Sequence, residues 1–398
     1  MFYILVDDIL KAKFFISFAK FDNVIYLTNK PSCYLFLKLK TTREVIFLKS
    51  INNAKADVDI ERLKNTISVL NGRQSLSNAV KNYQQVFFAL FNTLKSRLSS
   101  NDTVVLFNGN HASAIATADF FRSHNAKTLY SEISNLPGKM IFDPSGVNAQ
   151  SVLFKRPEIL DTLPIVADEV HKKWVARYID YKSSPLPQSR INVKTYAVIA
   201  FDDFMSRIFP LFIREDSLPL SKKINMFIDK YKSRKILASN IRANLDVDSE
   251  YVFYPTQVTS DTQLKINSEV DNIGAINKII ELEKGQAIYV KIHPAESDIS
   301  TINFFRALAD EKKIILVNNN TIELIRKARK VYTINSTVGL ESLIFEKDLV
   351  VLGRAIYSNF NSSRLQQYIH SYLVDLDYFG ENDINSSHID KMKELTEI

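Results

Sequence analysis

Short β-branched and aromatic runs alternate with longer amphipathic stretches along nearly the whole chain. A brief apolar run buries on both faces of a parallel sheet, and an amphipathic stretch then covers one face as a crossover helix. The first half predicts strands over 2–6, 24–27, 44–48, 103–107 and 127–130, with its clearest helices over 78–98 and 112–123. The second half is more regular, with strands over 251–254, 287–292, 313–317, 331–334 and 349–352, a helical segment between each pair. This is an α/β pattern: two Rossmann-like lobes facing one another across a cleft. A polar, proline-bearing stretch over 183–187 (SSPLP) follows a basic helix over 170–182. It divides the chain into a first domain, 1–185, and a second, 186–398, with the C-terminal helix expected to pack back on the first lobe.

Composition narrows the classes. Of 398 residues, 46% are apolar and 24% charged, which supports a core and excludes disorder. The 9 glycines are about a third of ordinary usage, and neither GxxxxGKS/T nor GxGxxG occurs. A single cysteine, Cys33, excludes disulfide scaffolds and thiolate zinc sites, and no HExxH is present. The net charge of +7 suits a sugar nucleotide, a phospholipid surface or an acidic glycan. It is too modest and dispersed for a nucleic-acid footprint. Asp7 and Asp8 interrupt the N-terminal apolar run where a signal peptide needs continuity, and no stretch approaches the ~18 apolar residues of a membrane span. A cytoplasmic protein, resting on a membrane surface, is expected.

Ligands of an open parallel sheet bind outside the carboxyl ends of its strands. The second-half tips carry Gln257 to Asp261, then Lys291, His293, Pro294 and Glu296, then Asn318 to Asn320, then Asn335, Ser336, Thr337 and Glu341, and last Arg354. Ser336 or Thr337 is suited to cap a helix whose free N–H groups attract an anion. Glu341 lies about one turn inside, free for a ribose diol; the plain alternative is a capped core helix with Glu341 solvated. Pro294 ends its strand and fixes His293 at the tip, where imidazole can donate to phosphate or serve structure alone. Asp261 is suited equally to capping a turn. In the first half, Asn108 and Gly109 precede a long loop that holds Glu132, Asn135, Gly138, Lys139 and Asn148. A carboxylate from each lobe would supply the nucleophile and the acid/base of glycosyl transfer. The basic-aromatic helices over 170–182 and 222–235 suit either lipid headgroups or solvated faces.

Taken together, Tyr254-Pro-Thr-Gln-Val-Thr-Ser-Asp261, His293-Pro294, Thr333-Ile-Asn-Ser-Thr-Val-Gly-Leu-Glu341 and Val351-Leu-Gly-Arg354 resemble the bacterial capsule-synthesis (KpsC/KpsS-like) family of retaining β-Kdo glycosyltransferases. Ser131 to Gly138 and Asp143 to Ser151 add to the resemblance, which runs from about Asn108 to Tyr357. It implies a GT-B-like enzyme that moves Kdo from CMP-Kdo to a cell-surface glycan or glycolipid without a metal or other cofactor. By that resemblance Asp261 is the nucleophile and Glu132 the acid/base, while His293, Ser336, Thr337 and Glu341 hold CMP. Gln257, Pro294 and Asn335 complete the donor side, and Asn108, Asn135, Gly138 and Asn148 line the acceptor side. Lys139, Lys291 and Arg354 are candidates for the Kdo carboxylate. Lys291 and Ile292 before the histidine, and Thr259 and Ser260 before the aspartate, depart from the family pattern without removing a functional group. A membrane surface or a larger polysaccharide-assembly protein is the further partner expected. Other readings are a transferase for CMP-sialic acid or ADP-heptose, and a non-catalytic glycan-binding relic of the fold. The tail over 384–398 reads as if cut mid-helix, as in a domain of a longer chain.

Overall fold

The computed structural model describes residues 1–51, 56–134, 136–183, 193–214, 250–380 and 384–398, with isolated residues between 225 and 236. Much of the 183–187 stretch and most of the basic segment over 222–235 therefore lie outside the described residues.

Contacts divide the chain into two compact units. One comprises Met1–Val152, Pro185–Ser217 and Ser371–Ile398, and the other Leu153–Ser184 with Leu218–His370. In the first unit, β1 (Phe2–Leu5), β2 (Val24–Thr28), β3 (Val45–Phe47), β4 (Thr103–Phe107), β5 (Lys127–Ile133) and β6 (Met140–Asp143) form one sheet. Their order is β3-β2-β1-β4-β5-β6, parallel except that β6 runs antiparallel to β5. β1 and β2 are buried along their whole length, which is why they read as unbroken apolar runs. Helices Leu76–Leu94 and Ala112–Ser123 pack on each other, with Ser75 capping the former.

The second unit repeats the plan. β7 (Tyr251–Pro255), β8 (Ala287–Lys291), β9 (Ile315–Leu316), β10 (Lys330–Thr333) and β11 (Asp348–Val351) run parallel in the order β11-β10-β7-β8-β9. Alternate side chains of β7 go to opposite faces: Val252 and Tyr254 join one core with Val290 and Phe305, while Tyr251 and Phe253 join another with Tyr289 and Val331. Each unit is thus a Rossmann-like doubly wound α/β layer.

A single boundary near 185 does not describe this chain. Helix Asp168–Ser183 belongs to the second unit, where Trp174 stacks on Tyr178 and the Tyr178 hydroxyl bonds Glu341. Helix Val193–Ile208 belongs to the first, where Asp202 accepts from both Ser32 N and Ser32 Oγ. Residues 371–398 also belong to the first: Val374 bridges Met140, and Tyr372 bonds the buried Asp143. No described helix is long and apolar enough to cross a membrane.

Candidate functional site

In the second unit the strand order reverses where β7 meets β10, the point at which doubly wound sheets take ligands. Three loops leave the sheet there, and hydrogen bonds lace them together. Gln257 and Asn335 form a reciprocal pair, Gln257 Nε2 donating to Asn335 Oδ1 (2.8 Å) and Asn335 N donating to Gln257 Oε1 (3.0 Å). Asn272 clamps the backbone of Gln257 from below, accepting from its N–H at 3.0 Å and donating to its carbonyl at 2.7 Å. His293 N donates to Thr256 Oγ1 at 3.0 Å. Glu296 is buried and accepts four bonds: Thr259 N and Oγ1 at one oxygen, Ser297 N and Asp298 N at the other. It ties the loop carrying Asp261 to the loop carrying His293. Glu296 was read only as one polar residue at a strand tip and Asn272 was passed over, because a buried carboxylate or amide looks no different from a solvated one in a string.

Asp261 is half-buried at the head of helix Thr262–Asn267, where its Oδ1 accepts from Gln263 N at 2.9 Å. It is a helix cap, and its other oxygen has no bond among the described residues. His293 is exposed by surface area, yet enough protein surrounds its ring for burial to hold its pKa below the ordinary value; Glu296 and Asp261 oppose that, and Lys291 adds to it. Its Nδ1 accepts from Ala295 N at 3.0 Å, so in the neutral ring the proton sits on Nε2, which is then a donor. Pro294 is exposed in the turn that follows.

Ser336 caps helix Thr337–Ile344, accepting from Val338 N at 3.2 Å, and Thr337 is half-buried in its first turn. The positive end of that helix opens beside Asn335 and Gln257. Tyr357 donates to the Ser336 carbonyl. Its ring presses so close to Gly339 that a Cβ there would stand 2.4 Å from it. Glu341 corrects an expectation: it is 4% exposed, and its Oε1 accepts from Tyr178 Oη at 2.9 Å and pairs with Lys182 Nζ at 2.7 Å. It is not free for a ribose diol, because helix Asp168–Ser183 arrives to occupy it. Burial, then the Glu341 charge, raise the pKa of Tyr178, so that hydroxyl stays a donor.

The three candidate cations differ. Lys291 donates to the Asn319 carbonyl (2.7 Å) and Thr321 Oγ1 (3.0 Å), has no carboxylate partner among the described residues, and burial lowers its pKa. Arg354 is exposed and donates to the Ile266 carbonyl at 2.9 Å. Lys139, in the first unit, is buried and already paired with Asp375.

In the first unit, Glu132 lies near the end of β5. Asn108 Nδ2 donates to its Oε2, and Ile133 N to its Oε1 at 3.0 Å. Burial raises the pKa of Glu132 against the pull of Asn108, Ile133 and Lys11. Asn108 reaches the carboxylate from a left-handed backbone (φ 64°), and Gly109 follows at φ 82°. A Cβ on Gly109 would lie 2.5 Å from the Tyr130 ring, so only glycine serves there. Gly138 turns β5 into β6, and Asn148 opens a short helical turn, both with positive φ. Asn135 lies outside the described residues. Asp143 is internal and accepts from Ser145, Gly146, Ser151, Val152 and Tyr372, so it shapes the loop.

Residues 104–366 match the family model described as capsule polysaccharide biosynthesis protein. The capsule polysaccharide export protein KpsS of Escherichia coli is 28% identical over 155 residues, which are 36% of this chain and 39% of that protein. Protein FixF of Sinorhizobium fredii is 32% identical over 124 residues, 29% of each. The chain thus spans well under half the length of these two relatives in the matched stretches. Among solved structures, the β-Kdo 2,7 transferase of Thermosulfurimonas dismutans KpsC aligns with 100% of this chain and 98% of that one, at 13% identity and a TM-score of 0.44.

Proposed function

The chain belongs to the capsule polysaccharide biosynthesis family, and from that premise we propose that it is a retaining β-Kdo glycosyltransferase. In this reading it takes Kdo from CMP-Kdo and delivers it to a cell-surface glycan or glycolipid at the cytoplasmic side of the inner membrane. The observation that carries the proposal is the lacing of the Asp261, His293 and Ser336 loops at the switch point of the second sheet.

The chemistry follows from the groups there. CMP leaves as a phosphate monoester, and its negative charge is met by the N–H groups behind Ser336 and by the Nε2–H of His293, in place of a metal. Asp261 attacks the anomeric carbon through the oxygen not spent on its cap, forming a glycosyl ester as the bond to the CMP phosphate breaks. The acceptor hydroxyl then attacks the same carbon, releases Asp261 and gives its proton to Glu132. Two inversions make net retention. A carboxyl raised by burial, as Glu132 is, suits proton transfer near neutral pH. Lys291, with no carboxylate partner among the described residues, is the preferred cation for the Kdo carboxylate, ahead of the paired Lys139.

Incubation with CMP-Kdo followed by peptide mass spectrometry tests this. The expected result is a Kdo adduct on the peptide bearing Asp261, absent in Asp261→Asn together with transfer. Transfer that survives Asp261→Asn would remove the double-displacement step. Thermal protection by CMP but not by UDP or ADP separates this donor from other nucleotide sugars.

A further inference from the structure

Among the described residues, helix Val193–Ile208 is anchored to the first unit through Asp202. Asp202 accepts from Ser32 N at 2.9 Å and Ser32 Oγ at 2.6 Å, at the head of helix Pro31–Lys40. Just beyond the helix, Phe212 packs edge-on to Phe47, and the Leu211 carbonyl accepts from Ser50 N at 2.8 Å. At 100° per residue, Ala197, Phe201, Phe204 and Ile208 fall on one stripe turned well away from Asp202. That stripe is bare: Phe204 is 58% exposed and Ile208 53%. Phe201 on the same stripe is exposed too, as are Phe209 and Leu211 just past the helix and Leu35 and Leu39 on helix Pro31–Lys40. Seven large apolar side chains in one region of a chain with a normal core are too many to be incidental.

Among the described residues, the exposed charges beside them in sequence are basic. Lys38, Lys40 and Arg214 are exposed at the margins. The two acids of the helix are turned elsewhere, Asp202 to Ser32 and Asp203 to Arg207 at 3.2 Å. Exposed apolar side chains with exposed lysine and arginine beside them in sequence fit the interface of an anionic bilayer, where the aromatic rings sink among the acyl chains and the cations meet phosphate. We infer that the exposed face of helix Val193–Ile208, with Leu35 and Leu39, is the surface by which the chain lies on an anionic lipid bilayer. The inference gives the peripheral location in the proposed function a specific surface, and it stands whether or not the donor is CMP-Kdo.

Co-sedimentation with phosphatidylcholine vesicles, alone or mixed with phosphatidylglycerol, tests it without any donor. Wild type is expected to pellet with the mixed vesicles and at least about tenfold less with phosphatidylcholine alone. Phe204→Asp with Ile208→Asp is expected to lower partitioning about tenfold or more while circular dichroism and CMP protection stay unchanged. Should that pair misfold, Leu39→Asp makes the same test from the adjacent helix, and Phe204→Trp reports by a blue shift of its emission on mixed vesicles. Equal partitioning of wild type and folded variants would overturn the assignment. So would a dimer seen by sedimentation equilibrium that Phe204→Asp dissolves, since the face would then belong to a second copy. Loss of CMP protection in the wild type would count against the donor reading alone.

Discussion

Glu132 shows what burying one carboxylate costs. Burial raises its pKa, so the folded protein holds the proton more tightly than the unfolded chain does. Its contribution to stability is therefore fully present below the unfolded carboxyl pKa and is lost as pH rises through the folded one. Glu132→Gln is expected to leave the melting temperature unchanged near about pH 4 and to raise it at about pH 8, while transfer falls by about 100-fold or more. Scanning calorimetry at the two pH values, beside a transfer assay, checks it; a pH-independent difference would mean that Glu132 titrates normally. Glu132 was read as opening a loop after a strand over 127–130, whereas β5 runs on through it to Ile133. Its partner Asn108 was legible only as a nearby polar residue, because the left-handed turn that aims the amide depends on Gly109 clearing the Tyr130 ring.

Helix Thr337–Ile344 was legible as an element, strand then Ser-Thr then an apolar stretch, and Ser336 is its cap. Gly339 within it was quoted as part of a motif with no reason attached. The reason is Tyr357, from the segment that follows β11, whose ring a Cβ on Gly339 would meet at 2.4 Å. Gly339→Ala is expected to cost about 1–3 kcal/mol through overpacking, read as a lower urea midpoint at an unchanged slope. Helix Asp168–Ser183 was read as suiting either lipid headgroups or a solvated face. Its histidine instead meets another, His171 Nδ1 lying 3.1 Å from His370 Nε2. Burial lowers the pKa of His171 against the pull of Asp168 and Glu346. The unfolded chain then binds its proton more readily, so the stability it contributes is present above the unfolded histidine pKa of about 6.5 and fades as pH falls below it. Urea midpoints are expected to drop from about pH 7.5 to about pH 5.5, and His171→Gln should flatten that slope. Strand β6 was missed because Met140–Asp143 is too short to show a period, and only its pairing to β5 makes it a strand.

The path of the chain between its two units has consequences for the whole protein. The first unit is finished by residues 371–398, which return long after a linear boundary would have closed it. Leu373 and Val374 are buried there, and Tyr372 gives its hydroxyl to Asp143 at 2.9 Å. A fragment ending at 185 would expose that apolar surface and leave the buried carboxylate short of a donor, a loss of the kind that costs about 1–3 kcal/mol for the polar group alone. Residues 1–185 expressed alone are expected to be insoluble or to lack a cooperative thermal transition, and a chain joining 1–217 to 371–398 is expected to recover one. A sharp transition in the shorter fragment would show the return to be dispensable.

Periodicity and local chemistry were enough for the α/β class, for most strands of both sheets, and for the polar tips where ligands gather, because each is written in neighbours a few residues apart. The motifs also carried the family. Which polar groups at those tips remain available was decided in three dimensions: Glu341 is taken by Tyr178 and Lys182, Gln257 by Asn335, and Lys139 by Asp375. Each of these partners lies from about 80 to more than 200 residues away along the chain. Hydrogen bonds and ion pairs are short-ranged in space, and nothing in local sequence encodes which distant segment will arrive.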